Sequence, residues 1–221
     1  MKKFSLLFFA FSSIILFAQE NKSWTFGAKA GINFATLQGS YDEVEWVEKL
    51  EGMTGFHLGG WANYAFHERF ALQIEALGSY QGGDIQYTGI PHPLTGEILH
   101  PEAEMRLPYI VVPVMLQYKP VPQLYIEAGP QLNLLPKVVT KAFLNGQEVE
   151  DDQAAGIITN RLKNAQSVDF GLNLGAGYEF FDKWTLYGRY THGMITVDKR
   201  EEKQRDLKNR VIAFGISYRV F

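Results

Sequence analysis

Six charged residues lie at positions where they could form a polar site inside a folded domain. Carboxylates held beside cations can bind a solute or pass protons between them. The same groups can instead form ion pairs and hydrogen bonds that fill a protein interior, because a buried charge without a partner is costly. Their spacing specifies no reaction, so we favour this polar network and predict no catalytic residue, no metal site and no cofactor. The six residues are Lys29, Glu75, Glu127, Asp169, Glu179 and Arg189.

Two pairs of residues suggest other chemistry. His192 and Ser217 would lie on neighbouring strands, and a serine with a histidine suggests a lipid-modifying enzyme, but no strained nucleophile context surrounds the serine. His92 and His100, with Glu97 and Glu102 nearby, suggest metal capture. Because prolines flank both histidines, a solvated loop is the favoured interpretation of that segment.

The elements that must position these residues follow from a strict two-residue alternation. In residues 167–180, Phe170, Leu172 and Leu174 alternate with polar or small residues such as Asp169 and Asn173. A helix would scatter these two sets around its circumference, so the pattern predicts a strand with one apolar and one polar face. The same alternation predicts eight strands, at residues 24–36, 56–65, 70–83, 105–118, 124–137, 167–180, 184–197 and 209–221.

The connections between these strands alternate between long and short. Long segments fall at 37–55, 84–104, 138–166 and 198–208, and the intervening connections are only a few residues long. With an even number of strands, this order puts every long loop at one end and both termini at the other. Short periplasmic turns and long outer loops are typical of an outer-membrane barrel.

Two kinds of barrel share this alternation, and they differ in the direction of the apolar face. A soluble periplasmic barrel of the lipocalin kind turns apolar side chains inward, around a small apolar ligand. Here the apolar face carries no charge in mid-strand, the opposite face is rich in glycine, and aromatic residues gather near the strand ends. We therefore predict an all-β, eight-stranded antiparallel up-and-down transmembrane β-barrel, with an interior that side chains fill rather than a general diffusion pore.

Composition and the first residues bound the remaining possibilities. The chain has 221 residues, 46% of them hydrophobic, and no cysteine, which excludes disulfide scaffolds and thiol chemistry. A formal charge of −3 gives no basic surface for nucleic acid. Two lysines, an apolar stretch and Ala18 before a polar segment predict a signal peptide over residues 1–18 and an outer-membrane β-barrel domain over residues 19–221.

Several short segments resemble one known family. They are WTFGAKAGINF at 24–34, LPYIVVPV at 107–114, EAGP at 127–130, GAGYE at 175–179 and GRYTHG at 188–193. In order and spacing these segments resemble the PorT-like outer-membrane β-barrel family of Bacteroidota. The resemblance implies a small barrel of the cell outer membrane without a catalytic motif, and one member of that family is linked to type IX protein secretion.

These observations lead to an expected function. We expect a structural or interaction role in the cell envelope, accessory to secretion or motility machinery, in a protein that is not an enzyme. Its expected partners are outer-membrane lipid and, through the long loops, envelope proteins. The alternatives are a soluble periplasmic lipocalin-like barrel and an outer-membrane lipid-modifying enzyme.

Overall fold

The alternating segments form strands in the computed structural model, which describes residues 23–38, 47–87, 90–91, 96, 98–99, 101–136, 139–144, 147–148, 167–196 and 208–220. The predicted signal peptide lies outside these residues. No helix in the described ranges is long and apolar enough to cross a membrane. The strands are β1 (Ser23–Gln38), β2 (Val47–His67), β3 (Phe70–Tyr87), β4 (Ile90–Pro91), β5 (Ile98–Leu99), β6 (Pro101–Val121), β7 (Leu124–Leu134), β8 (Val139–Leu144), β9 (Gln147–Glu148), β10 (Val168–Phe180), β11 (Trp184–Thr196) and β12 (Lys208–Arg219).

Eight of these strands close into a ring. Around the ring the order is β1, β2, β3, β6, β7, β10, β11, β12, and every neighbouring pair is antiparallel. The first and last strands form the seam, with Gly27 opposite Arg219 and Gln38 opposite Lys208. A closed sheet pairs its backbone groups internally and leaves no edge for lipid to meet. The predicted eight-stranded antiparallel barrel is therefore confirmed.

The apolar face points outward. Phe170, Leu172 and Leu174 are 39%, 48% and 64% exposed, whereas Asp169 and Asn173 on the same strand are 1% and 5% exposed. Water would not favour such an exterior, but acyl chains would. This arrangement is the reverse of a lipocalin, so the soluble ligand-binding alternative is wrong.

Aromatic pairs mark the short-turn end of the apolar exterior. Rings on adjacent strands contact each other near the turns, as expected where side chains meet lipid headgroups. About ten residues of β3 separate this level from the next aromatic pair, Phe56 with Tyr80, which matches the ~9–11 residues that a tilted strand needs to cross a bilayer. The pairs at the short-turn end are Trp24 with Tyr64 at 4.8 Å, Trp184 with Tyr218 at 4.7 Å and Phe70 with Tyr118 at 5.1 Å between ring centroids.

The long-loop end departs from the prediction. The strand predicted to begin at residue 56 begins at Val47, and the one predicted at 105 begins at Pro101. Parts of the predicted loops 37–55 and 84–104 are therefore strand, and β8 pairs beside β6 in the loop predicted at 138–166. Backbone pairing continues here although the side chains no longer alternate, which is why the sequence pattern ended too early. One extra residue of β2 between Gly52 and His57 shifts the register with β3.

We call this extension the raised sheet, and define it as residues 47–52, 84–87, 101–106, 139–144 and 147–148. A row of charged residues crosses it in register, from Glu51 through Asp84 and Glu104 to Lys141. Lys141 Nζ lies 2.9 Å from Glu148 Oε1, and the hydrogen bond to Glu148 raises the pKa of this lysine. Charge at this level shows that the raised sheet stands beyond the apolar exterior, in water.

Candidate functional site

Four of the six predicted charges meet in the middle of the bore. Lys29 lies on β1, Glu75 on β3, Glu127 on β7 and Arg189 on β11, so the four come from every second strand of the ring. All four side chains are buried, because the two-residue alternation of each strand turns them inward. We call these four residues the charge cluster.

Arg189 crosses the bore. Its strand is four places from β3 around the eight-stranded ring, yet Nη1 and Nη2 donate to the two carboxylate oxygens of Glu75 at 2.9 and 2.8 Å. The same guanidinium donates from Nε and Nη2 to Glu127 Oε1 at 3.0 and 2.6 Å. A planar fork of donors suits two carboxylates at once, and such charge-assisted bonds are the stronger ones in proteins. Arg189 therefore ties three strands together.

Lys29 completes the charge balance. Its Nζ donates to Glu75 Oε1 at 2.6 Å and lies 4.2 Å from the centre of the Tyr187 ring, where the ring face attracts a cation. Two basic side chains thus face two acidic ones, so the formal charges of the cluster sum to zero. Burial of these groups is tolerated because each has opposite charge and hydrogen bonds around it.

Amide and hydroxyl groups continue the network above and below the charge cluster. On the short-turn side, Gln73 Nε2 donates to Glu75 at 2.6 Å and Gln117 Nε2 donates to Glu127 at 3.0 Å. On the long-loop side, His57 is hydrogen-bonded to Tyr187 and, at 2.6 Å, to Asn33. The bore is therefore filled by partnered polar side chains rather than by an open channel.

Glycines leave space for the long side chains. Gly175 lies between Glu127 and Arg189 in the register of β7, β10 and β11. A methyl group there would come within 2.9 Å of the Gly188 carbonyl oxygen and 3.1 Å of Glu127 Oε1. The absence of a side chain at Gly175 thus leaves the space that Glu127 and Arg189 occupy on the two neighbouring strands.

The other two predicted residues lie elsewhere in the bore. Asp169 is near the long-loop end, where Asn133 Nδ2 donates to its Oδ2 at 3.2 Å and Oδ1 has no hydrogen-bond partner among the described residues. Glu179 is at the short-turn end, 2.9 Å from Arg219 and 3.8 Å from Lys119. The six residues therefore form three separate groups and not one site.

Sequence reasoning did not single out several neutral members of the network, among them His57, Gln73, Gln117 and Tyr187. All four have the inward position that the alternation gives, so they share a face with the charged residues. Their position on the polar face was the available signal. A charged residue at an inward position indicates by itself that a buried partner is needed. A glutamine or tyrosine indicates a network only once its partner is known.

The structure does not bring His192 and Ser217 together. Ser217 lies inside the bore, where its Oγ accepts a hydrogen bond from Trp61 Nε1 at 2.7 Å. His192 lies on the outer side beside Tyr190, and its register partner is Arg210 rather than Ser217. His92 and His100 lie outside the described residues. No cluster of metal-ligating side chains occurs in the part of the chain that the structure describes.

Two small cavities lie on either side of the charge cluster. The one toward the short turns has a volume of about 60 Å³, and the one toward the long loops has a volume of about 30 Å³. They share no lining residue, and Lys29 and Arg189 form one boundary of the second. The bore is thus divided at mid-height.

Comparison with known proteins identifies one family. Residues 17–199 match the family described as "Outer membrane protein beta-barrel domain". No curated protein matches the chain.

The solved structures to which the chain is similar include three outer-membrane proteins. Ail of Yersinia pestis is 15% identical, with 89% of this chain and 98% of that chain covered and a TM-score of 0.41. OprG of Pseudomonas aeruginosa is 16% identical, with 90% and 97% covered and a TM-score of 0.42. Outer membrane protein W of E. coli is 14% identical, with 90% and 98% covered and a TM-score of 0.40.

Proposed function

Because the chain belongs to the outer membrane protein beta-barrel domain family, we propose that it serves in the outer membrane as a structural and interaction protein, and not as an enzyme or a general pore. The observation that carries this proposal is that two features of the barrel lie at different heights along its axis. The bore is filled by the charge cluster, while the wall continues as the raised sheet on one side of the long-loop end.

The filled bore argues for a role on the surface of the barrel. Arg189 spans the bore to both carboxylates of the charge cluster, and solutes would have to displace bonds of 2.6 to 3.0 Å between buried ions to pass. Eight-stranded barrels have interiors that side chains fill. We therefore expect the protein to act through contacts of its outer surface with other molecules, not by passage of solutes through the bore.

The raised sheet is the surface that we propose meets a partner. Long loops of outer-membrane barrels face the outside of the cell, and this sheet lies at the long-loop end. Glu102, Lys141 and Glu148 are exposed on it, and charged groups of both signs favour a partner with a complementary charge pattern. The proposed partner is an envelope protein.

A crosslinking experiment tests this proposal. A photo-crosslinking amino acid is introduced at Glu102 or at Lys141, with Thr36 as the matched control, since Thr36 is exposed at the same end on β1 outside the raised sheet. We expect one and the same protein to be captured in cells from Glu102 and Lys141 and not from Thr36. Capture from all three positions alike, or from none, would contradict the proposal.

The resemblance to PorT-like barrels supports a finer version of the proposal, in which the partner belongs to secretion or motility machinery. Loss of the protein is then expected to reduce the amount of secreted protein in the medium or the spreading of colonies. The wild-type chain should restore the function, and a chain with the charge reversal Lys141→Glu should restore it less well. Unchanged secretion and spreading in the deletion strain would contradict this version while leaving the crosslinking result in place.

A further inference from the structure

We propose that the cavity at the short-turn end of the bore binds the carboxylate group of a periplasmic ligand. The cavity has a volume of about 60 Å³, and each of the eight barrel strands contributes to its lining. Short turns of outer-membrane barrels face the periplasm. Of the preceding conclusions, this inference depends only on the outer-membrane location. Its failure would therefore leave the proposed interaction role unaffected.

The size of the cavity suits a small group. A space of this kind holds one water in roughly 10–15 Å³, so about four water-sized groups fit. A carboxylate with the carbon that bears it has four non-hydrogen atoms. The cavity therefore fits the end of a ligand, and the remainder of the ligand would lie outside, below the turns.

The charge of the lining favours an anion. Lys119, Lys183 and Arg219 line the cavity, and among the described lining residues Glu179 is the single acid. Glu179 lies 2.9 Å from Arg219 and 3.8 Å from Lys119, so one carboxylate serves two cations. Two positive charges remain in excess, and a cleft lined by one sign of charge attracts the opposite sign.

Polar groups in the walls supply donors for the carboxylate oxygens. Thr25, Thr185 and Tyr125 line the cavity, and their hydroxyl groups have no hydrogen-bond partner among the described residues. By contrast, Gln117 is already bonded to Glu127 above it. The inner end of the cavity is thus saturated by the charge cluster, and the free donors lie between it and the cationic rim.

Exposure gives the direction of entry. The side chains of Lys119 and Arg219 are 34% and 37% exposed, whereas Tyr125 and Gln117 are 8% and 3% exposed as residues. The cavity therefore opens at the turns and is closed toward the middle of the membrane. A ligand enters from the periplasm with its carboxylate first.

Nuclear magnetic resonance of the full barrel in detergent micelles tests the site. The indole N–H signal of Trp61, which lines the cavity, is assigned with the Trp61→Phe variant. The probes are N-acetylalanine, which has a terminal carboxylate, and N-acetylaspartate amide, which has a side-chain carboxylate. N-acetylalanine amide is the uncharged control. We expect a saturable shift of this signal with at least one carboxylate probe and none with the control, and the tighter probe identifies the kind of carboxylate.

Matched variants tie the effect to the rim. Arg219→Gln and Lys119→Gln each remove one cation and should weaken binding about tenfold, since a hydrogen bond to a charged group is lost. Lys141→Gln removes the same charge at the opposite end and should leave binding unchanged. Each variant is first shown to be folded by its faster migration on an unheated gel.

Four results would overturn the inference. They are the absence of a saturable shift with both carboxylate probes, an equal shift with the uncharged amide, equal weakening by Lys141→Gln, and tighter binding of inorganic phosphate than of either probe.

Discussion

Arg189 connects strands of the barrel that are not paired with one another through the backbone. It donates four hydrogen bonds to two carboxylates on strands that are not its neighbours. Lys29 reaches only Glu75, and no second cation is within bonding distance of Glu127 among the described ion pairs. Loss of Arg189 would thus leave Glu127 buried without a cation bonded to it.

The variant Arg189→Met measures this contribution. Removing one partner of a buried ion pair leaves an uncompensated charge, so we expect the free energy of unfolding to fall by about 3–5 kcal/mol. Urea unfolding of the barrel in lipid vesicles gives the value. Arg106→Gln is the control, because the Arg106–Glu104 pair is partly exposed and should contribute at most about 1 kcal/mol.

A second variant separates charge from packing. If the charge on Glu127 causes the loss, then Glu127→Gln added to Arg189→Met should recover part of the lost stability. Equal stability of the single and double variants would show that the arginine acts by filling space instead.

At the residue scale, the sequence predicts which way a side chain points but not how high it lies in the barrel. Glu75, Glu179 and Arg189 all have inward positions, as their strands' alternation predicts. Only the first and last of these meet, because Glu179 is one residue from the end of β10 and lies at the short turns. Height depends on the stagger between strands, which no local pattern encodes.

The outer faces of the strands contact the lipid of the membrane. A single charge introduced on one of these faces should therefore reduce the stability of the inserted barrel. Leu174 lies near the middle of β10 and is 64% exposed on the apolar exterior. Val220 is also exposed, but it follows the end of β12 beside the short turns. The two positions share exposure and differ in depth.

The pair of variants Leu174→Arg and Val220→Arg tests the depth of the barrel in the bilayer. A charge at the midplane costs about 2–4 kcal/mol and one near the interface about 0–1 kcal/mol. We expect Leu174→Arg to reduce the folded fraction in vesicles, seen as loss of the fast-migrating band on unheated gels, and Val220→Arg to leave it nearly unchanged. Equal tolerance of both would mean that Leu174 does not face lipid.

At the element scale, the sequence predicts strands only as far as lipid imposes a pattern on them. Phe170 to Leu174 alternate because one side meets acyl chains and the other meets the bore. Beyond the bilayer, Glu51, Asp84 and Glu104 are in register on paired strands, but water accepts polar side chains on either face. Nothing then forces alternation, so the sequence predicts loop for most of the raised sheet.

For the whole molecule, the filled bore leads to a permeability prediction. The two cavities, of about 60 and 30 Å³, share no lining residue, and the charge cluster lies between them. Vesicles containing the protein should therefore swell in a small sugar no faster than empty vesicles. A general porin in parallel vesicles is the positive control, and swelling at a rate near that of the porin would contradict the filled bore.

The arrangement of the charge cluster also bears on how the protein enters its membrane. In a flat sheet of the same strand order, β3 and β11 would be about 19 Å apart, at ~4.8 Å per strand, and Arg189 could not touch Glu75. Only when the sheet curls do these ions meet. A chain inserted one strand at a time would carry them into hydrocarbon alone, so curling must come before or together with insertion.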